Sequence, residues 1–170
     1  YFKLLMSNIS CNKFLKKNSI EESVVFQVGG SDNELLKFST NLANKYGYQG
    51  INLNVGCPSK KVSQGRMGAC LMKEADIVRS CVKSMISESS SEVSVKCRIG
   101  VDEFESYNFF KEFISNVSDS GCNTFFVHAR KAFLKGLDPK KNRTLPPLKY
   151  DYVYKLKREM PQLNIIINGG

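Results

Sequence analysis

Five short runs rich in Val, Ile or Phe punctuate the chain: VVFQVGG (24–30), GINLNVG (50–56), VSVKCRIG (93–100), TFFVHAR (124–130) and NIIINGG (164–170). Their length and β-branched content predict strands. Between them apolar residues recur at threes and fours, as Leu35, Leu36, Ala43 and Tyr46 do, which predicts amphipathic helices over 32–46, 73–87, 105–120 and 151–160. Asp32 and Asp151 stand where N-caps belong. SESSSE (87–92) reads as a solvated loop, and residues 1–22 show no firm period. Strand and helix alternating in this way mark a parallel α/β sheet.

Side chains alternate across a strand, so each run can be split into two faces. Ile51, Leu53 and Val55 share one face and Asn52 and Asn54 the other; Val93, Val95 and Cys97 oppose Lys96 and Arg98; Phe125 and Val127 oppose His128 and Arg130. Val25, Gln27, Ile166 and Asn168 fall on the second face, which is expected to turn polar toward the C-terminal end of each strand. A doubly wound sheet would bury such a row under helices, at a cost. In a (β/α)8 barrel the same face lines the mouth, where active sites sit. The expected fold is therefore a TIM-type (β/α)8 barrel. Five strands cannot close eight, so either flanking strands lie outside this chain or the sheet is open.

With 170 residues and 42% hydrophobic content, the chain is the size of one domain with a real core. Its 25 Lys and Arg against 16 acids give a formal charge of +9 and a pI near 9.3. That excess suits a polyanionic partner, although a solvated basic surface is the commoner meaning. Cys11, Cys57, Cys70, Cys81, Cys97 and Cys122 form no C-x-x-C and do not cluster with His128, the one histidine, so neither a metal site nor a disulfide framework is expected. No apolar run reaches the roughly 18 residues of a membrane helix, and no secretory segment opens the chain. A reducing compartment, the cytoplasm, fits best, with organelle targeting left open. The chain starts at Tyr1 and stops at Gly169 and Gly170 directly after an apolar run, and is expected to be cut from something longer.

FQVGGSD, INLNVGCPSKKVSQGRMGACLM, VKCRIG, FFVHARKA and NGG occur in the order found in the flavin-dependent tRNA-dihydrouridine synthases, which this chain resembles from about Val24 to Gly170. The Asn-x-Gly-Cys-Pro-Ser stretch is highly specific, and HARKAFLKGLDPKKNRTLPPL is similar to the bacterial A-type branch. The resemblance implies reduction of the C5=C6 bond of D-loop uridines, around position 20, by FMN recharged with NADPH. Residues 1–170 would then be part of the FMN-binding catalytic barrel, without its first strands, its last strand and the C-terminal helical domain that grips tRNA.

Hydride addition at C6 leaves C5 needing a proton. Cys57 matches the family's proton donor, and a thiol with an ordinary pKa is mostly protonated at neutral pH yet gives up its proton readily. The resemblance places Lys96, Gln27 and His128 on the flavin ring, and Asn168, Gly169 and Gly170 on its phosphate, where glycines let backbone N–H groups approach. A cation beside the ring would stabilise the reduced anion. The resemblance sets Asn54 against the uridine, with Arg98 as a weaker substrate assignment. Cys70, Cys81, Cys97 and Cys122 read as small buried hydrophobes.

The segment after His128 carries Arg130, Lys131, Lys135, Lys140, Lys141 and Arg143. The resemblance makes Lys140 and Arg143 tRNA contacts, with Lys60, Lys61 and Arg66 adding to the same surface. Three alternatives stay open: an FMN barrel acting on a free pyrimidine, as dihydroorotate or dihydropyrimidine dehydrogenases do; a catalytically silent RNA-binding barrel; and a hydrolase using Cys57 and His128, which lacks an orienting acid. QVGGSD also resembles a phosphate loop, without the lysine or third glycine of the known fingerprints.

Overall fold

The computed structural model describes residues 15–18 and 23–170. Cys11 and most of the aperiodic N-terminal segment lie outside them. The chain runs β1 (Val25–Val28), α1 (Asn33–Lys45), β2 (Gly50–Val55), α2 (Lys60–Gln64), a 3-10 helix at Gly68–Lys73, α3 (Ala75–Glu88), β3 (Glu92–Arg98), α4 (Tyr107–Ser118), β4 (Thr124–His128), a 3-10 turn at Lys141–Arg143, α5 (Tyr150–Glu159) and β5 (Asn164–Asn168). All pairings are parallel and the spatial order is the chain order, β1 to β5. A doubly wound sheet reverses its order at a switch point. A strictly sequential order is the barrel arrangement, present here as five successive strands.

Register sorts the strands into two faces. Ile51 and Val93, then Leu53, Val95 and Phe125, then Val55, Cys97 and Val127, lie side by side. All are buried in one apolar cluster with Leu36 and Ala43 of α1, Val78, Val82 and Met85 of α3, Phe110, Phe113 and Ile114 of α4, and Val153 and Leu156 of α5. Each such Leu, Ile or Phe contributes about 1.5–3 kcal/mol on burial. The other face carries Gln27, Asn52, Ser94, Thr124 and Asn164 in one row, Asn54, Lys96, Phe126 and Ile166 in the next, and Arg98, His128 and Asn168 at the C-terminal end. The polarity does not simply grow toward that end, as the sequence suggested. A complete polar row lies deep on the strands, and Phe126 and Ile166 interrupt the row above it. The edge strands remain open, with Val25 at 45% and Ile166 at 41% exposure.

Asp32 caps α1, its Oδ1 accepting from Leu35 N at 2.9 Å. That carboxylate takes up one of the free N–H groups at the helix N-terminus following QVGG. Ser106 caps α4 in the same way. Asp151 is not a cap: α5 starts a residue earlier, at Tyr150, because Lys149 N donates to Ala129 O at 2.8 Å and fixes the entry of the chain. Asp151 instead sits in the first turn, where the helix dipole favours a carboxylate.

Candidate functional site

The strand β2 ends at Val55, and the peptides that follow are held from three sides. Asn54 Oδ1 accepts from Gly56 N at 3.1 Å and Cys57 N at 3.0 Å. Short-range bonding of this kind is what Asn supplies at turns. Cys57 O accepts from Ala69 N at 2.9 Å, and Gly56 O from Arg98 Nε at 3.2 Å. Gly68 makes this close approach feasible: at φ +74° a Cβ there would fall 2.5 Å from Cys57 O. Cys57 is half-buried, its backbone fixed and its thiol free of a disulfide.

Asn54 is itself anchored. Its Nδ2 donates to Gln27 Oε1 at 2.9 Å, Gln27 Nε2 to Asn52 Oδ1 at 2.8 Å, Asn52 Nδ2 to Ser94 Oγ at 3.0 Å, and Ser94 Oγ to Ile51 O at 3.3 Å. Asn52 and Ser94 are buried. Gln27 and Asn54, read from the sequence as flavin and uridine contacts, thus also belong to a continuous structural network. Sequence reading placed Asn52 on the second face without giving it a role, and did not name Ser94. Their signal was available in the alternation, since both share the face of Asn54 and Lys96.

Beside the Cys57 loop, which Arg98 touches at Gly56 O, basic residues gather around His128. His128 is buried, and burial first, then Arg98, Arg130, Lys96 and Arg143, lower its pKa to about 4. It is neutral at physiological pH, and its buried Nε2 has no partner among the described residues. Lys96, half-buried, forms no salt bridge with a described carboxylate, nor do Arg98, Arg130 and Arg143. Burial lowers Arg98 to about 10, with Arg130 and Arg143 pushing the same way, so it stays charged at neutral pH. Asn168 ends β5 beside His128, and its carbonyl accepts from Ala129 N at 2.9 Å. Gly169, at φ +96°, lies so close to the imidazole that a Cβ would be 2.4 Å from His128 Cδ2. Tyr150 Oη donates to Gly169 O, and Gly170 follows at the rim, exposed.

Arg98 is 3% exposed, and its guanidinium joins two loops: besides Gly56 O it donates from Nη1 to Asn142 O at 2.9 Å and Lys131 O at 3.4 Å, both in the connection after β4. These bonds make it a clamp between the two loops. The basic segment is likewise divided. Arg130 turns inward to Pro146 O, and Lys131 pairs with Glu105 at 2.7 Å. Arg66 pairs with Glu74 at 2.8 Å. Lys135, Lys140, Lys141 and Arg143 are exposed without an acidic partner among the described residues, as are Lys60 and Lys61.

Cys81, Cys97 and Cys122 are buried, with thiols pushed up by desolvation, Cys81 and Cys122 to about 11. Cys70 is half-buried, and burial raises it as well. Among the described residues no group of three His, Cys, Asp or Glu is placed to hold a metal ion, and no helix is long and apolar enough to cross a membrane. The neutral, cation-surrounded His128 has no orienting acid among the described residues, which disfavours the Cys57–His128 hydrolase alternative.

The chain is similar to proteins named tRNA-dihydrouridine(20/20a) synthase. It is 51% identical to that of Yersinia pestis over 158 residues, covering 92% of this chain and 46% of the relative. To the Pasteurella multocida protein it is 51% identical, covering 92% and 48%, and to the Synechocystis protein 50% identical, covering 88% and 45%. The chain spans about half the length of the curated relatives it matches. Among solved structures, phosphoenolpyruvate phosphomutase from Streptomyces platensis subsp. rosaceus has the same fold, with a TM-score of 0.56 at 14% identity over 85% of this chain and 48% of that one. With the thiol loop, the polar strand row and the cationic mouth matched along residues 5–170 by the family described as dihydrouridine synthase (Dus), the chain belongs to that family.

Proposed function

We propose that the full-length protein is a tRNA-dihydrouridine synthase, a flavoprotein reducing the C5=C6 bond of a D-loop uridine, around position 20, at the expense of NADPH. The observation that carries this reading is the pinned Cys57 loop beside a cluster of cations that pair with no acid among the described residues. Such a cluster suits an anionic aromatic ligand. The unpartnered His128 Nε2 and the acid-free Lys96 supply polar atoms for one, and FMN fits this donor set.

When bound, FMN supplies the hydride that saturates C6 of the uracil. Lys96, Gln27 and His128 hold its ring, and the Asn168, Gly169 and Gly170 stretch its phosphate end. Neutral His128 cannot serve as the acid at physiological pH. Cys57 gives its Sγ proton to C5 of the base and regains one from solvent. Asn54 keeps the Cys57 backbone in place and has one Nδ2 hydrogen left to donate to the substrate. Lys140 and Arg143 take tRNA phosphates outside the mouth.

Cys57→Ala in the full-length enzyme should keep its flavin and its reduction by NADPH while losing about 10²–10⁴-fold in dihydrouridine formation, as expected for loss of a proton donor. Dihydrouridine measured in tRNA, alongside flavin absorbance, checks this. Turnover at the wild-type rate would overturn the role of Cys57, and a colourless protein that cannot take up FMN would overturn the flavoprotein reading.

A further inference from the structure

The loop that follows β4 is long, charged and exposed, yet it is organised around one uncharged residue. Asn142 is fully buried. Its Oδ1 accepts from Phe133 N at 2.7 Å, and its Nδ2 lies 3.0 Å from Phe133 O, 3.2 Å from Leu137 O and 3.2 Å from Asp138 O. A single carboxamide thus replaces the backbone pairing that a ten-residue excursion lacks. Lys140 and Arg143 stand exposed on either side of it. The backbone N–H of Asn142 donates to Asp138 O at 3.0 Å, its carbonyl accepts from Arg98 Nη1 at 2.9 Å, and the same guanidinium donates to Gly56 O at 3.2 Å. Gly56 is bonded directly to Cys57, so the basic loop and the thiol loop share one buried cation.

A second tie runs parallel to the first. Asp102, at φ +50°, accepts from Leu134 N at 2.8 Å and from Lys73 Nζ at 3.1 Å. Lys73 closes the 3-10 helix whose second residue, Ala69, holds Cys57 O. The first tie, through Arg98 and Asn142, is buried and has few alternative arrangements, because breaking one of its bonds leaves a desolvated partner behind.

We propose that Asn142 is a positioning residue that couples the RNA-facing basic loop to the loop carrying Cys57, with Arg98 as the bridge. Seating a phosphate on Lys140 or Arg143 and setting the height of the thiol then become one event. This coupling rests on the proposed reaction only for its consequence in turnover; the mechanical link stands on the hydrogen bonds alone.

Hydrogen exchange of backbone amides in the full-length protein without tRNA tests the link. Asn142→Ala should speed exchange at Phe133 and also, by about tenfold, at Gly56 and Cys57, as expected for loss of a buried hydrogen-bonded tie. Acceleration confined to residues 131–145 would overturn the proposal. Arg98→Lys, which keeps the charge but cannot span both carbonyls, should loosen both loops together, and it decides the matter if Asn142→Ala does not fold. For the consequence, Asn142→Ala should lower the tRNA-dependent step about tenfold at saturating tRNA and leave flavin reduction by NADPH unchanged. A change in KM for tRNA alone would overturn the coupling. Absence of dihydrouridine formation in the wild-type protein would overturn the activity reading instead, leaving the exchange result to decide the link.

Discussion

The two faces of the sheet hold the same strands by different means. On the outer face Leu53, Val95 and Phe125 lie side by side, fully buried against α1, α3 and α4, and the attraction is non-directional. On the inner face Gln27, Asn52 and Ser94 occupy one register row, and each side chain needs a particular neighbour at a particular angle. An outer position specifies volume and apolarity, which many sequences satisfy. An inner position specifies a donor or an acceptor, so exchanging one amide there disturbs the next. Stability is concentrated on the first face and the candidate chemistry on the second.

Substitutions that keep to one face break this comparison most directly. Phe125→Ala removes a fully buried ring and should cost about 3–5 kcal/mol, read from denaturant midpoints of the full-length protein, while the folded fraction keeps the proposed flavin site. A smaller effect belongs to His128 on the inner face. Its pKa is about 4 when folded against 6.5 for a free imidazole, so between those values the unfolded chain takes up a proton that the folded one refuses. Stability is complete above about pH 6.5 and is lost as the pH falls toward 4, by about 2–3 kcal/mol. The melting temperature of His128→Gln should fall less over that window than that of the wild type; equal slopes would show that His128 titrates normally. The smallest effect on the fold is expected beyond both faces. Lys140→Ala with Arg143→Ala should leave stability within about 0.5 kcal/mol. It should also weaken tRNA binding, with a log-log salt slope shallower by about one to two. An unchanged slope would remove the two residues from the RNA surface.

The outer face was readable because its signal is periodic. Every strand was found within two residues of its N-terminal limit and within two of its C-terminal one, and the apolar alternation of Ile51, Leu53 and Val55 named its own partners. The split of Asn54, Lys96, Arg98 and His128 onto a second face was legible for the same reason. What was not legible is how those groups bond. Asn54 carries its thiol loop through a local turn that the Asn-x-Gly-Cys spacing does announce, whereas the reach of Arg98 to Lys131 O and Asn142 O depends on loops converging from distant parts of the chain. Asn142 was hidden for a further reason. Set in KKNRT, it has the composition of a solvated tip, and only the packed loop shows it at the centre. Lys131 was counted with the basic segment on composition, although its head pairs with Glu105, and Arg130, read onto the inner face, turns to Pro146 O.

The inner row also has a direction. The N–H groups of Gly56 and Cys57 can only donate, so Asn54 must turn its oxygen to them and its nitrogen to Gln27, which in turn fixes Gln27 against Asn52 and Asn52 against Ser94. Side-chain amides are nearly symmetric in shape, and each taken alone could be flipped. Here the choice made at the peptide of Cys57 is passed from amide to amide until Ser94 delivers its hydroxyl hydrogen to Ile51 O. Three strands thereby share one sense of rotation, written by the residue that carries the thiol.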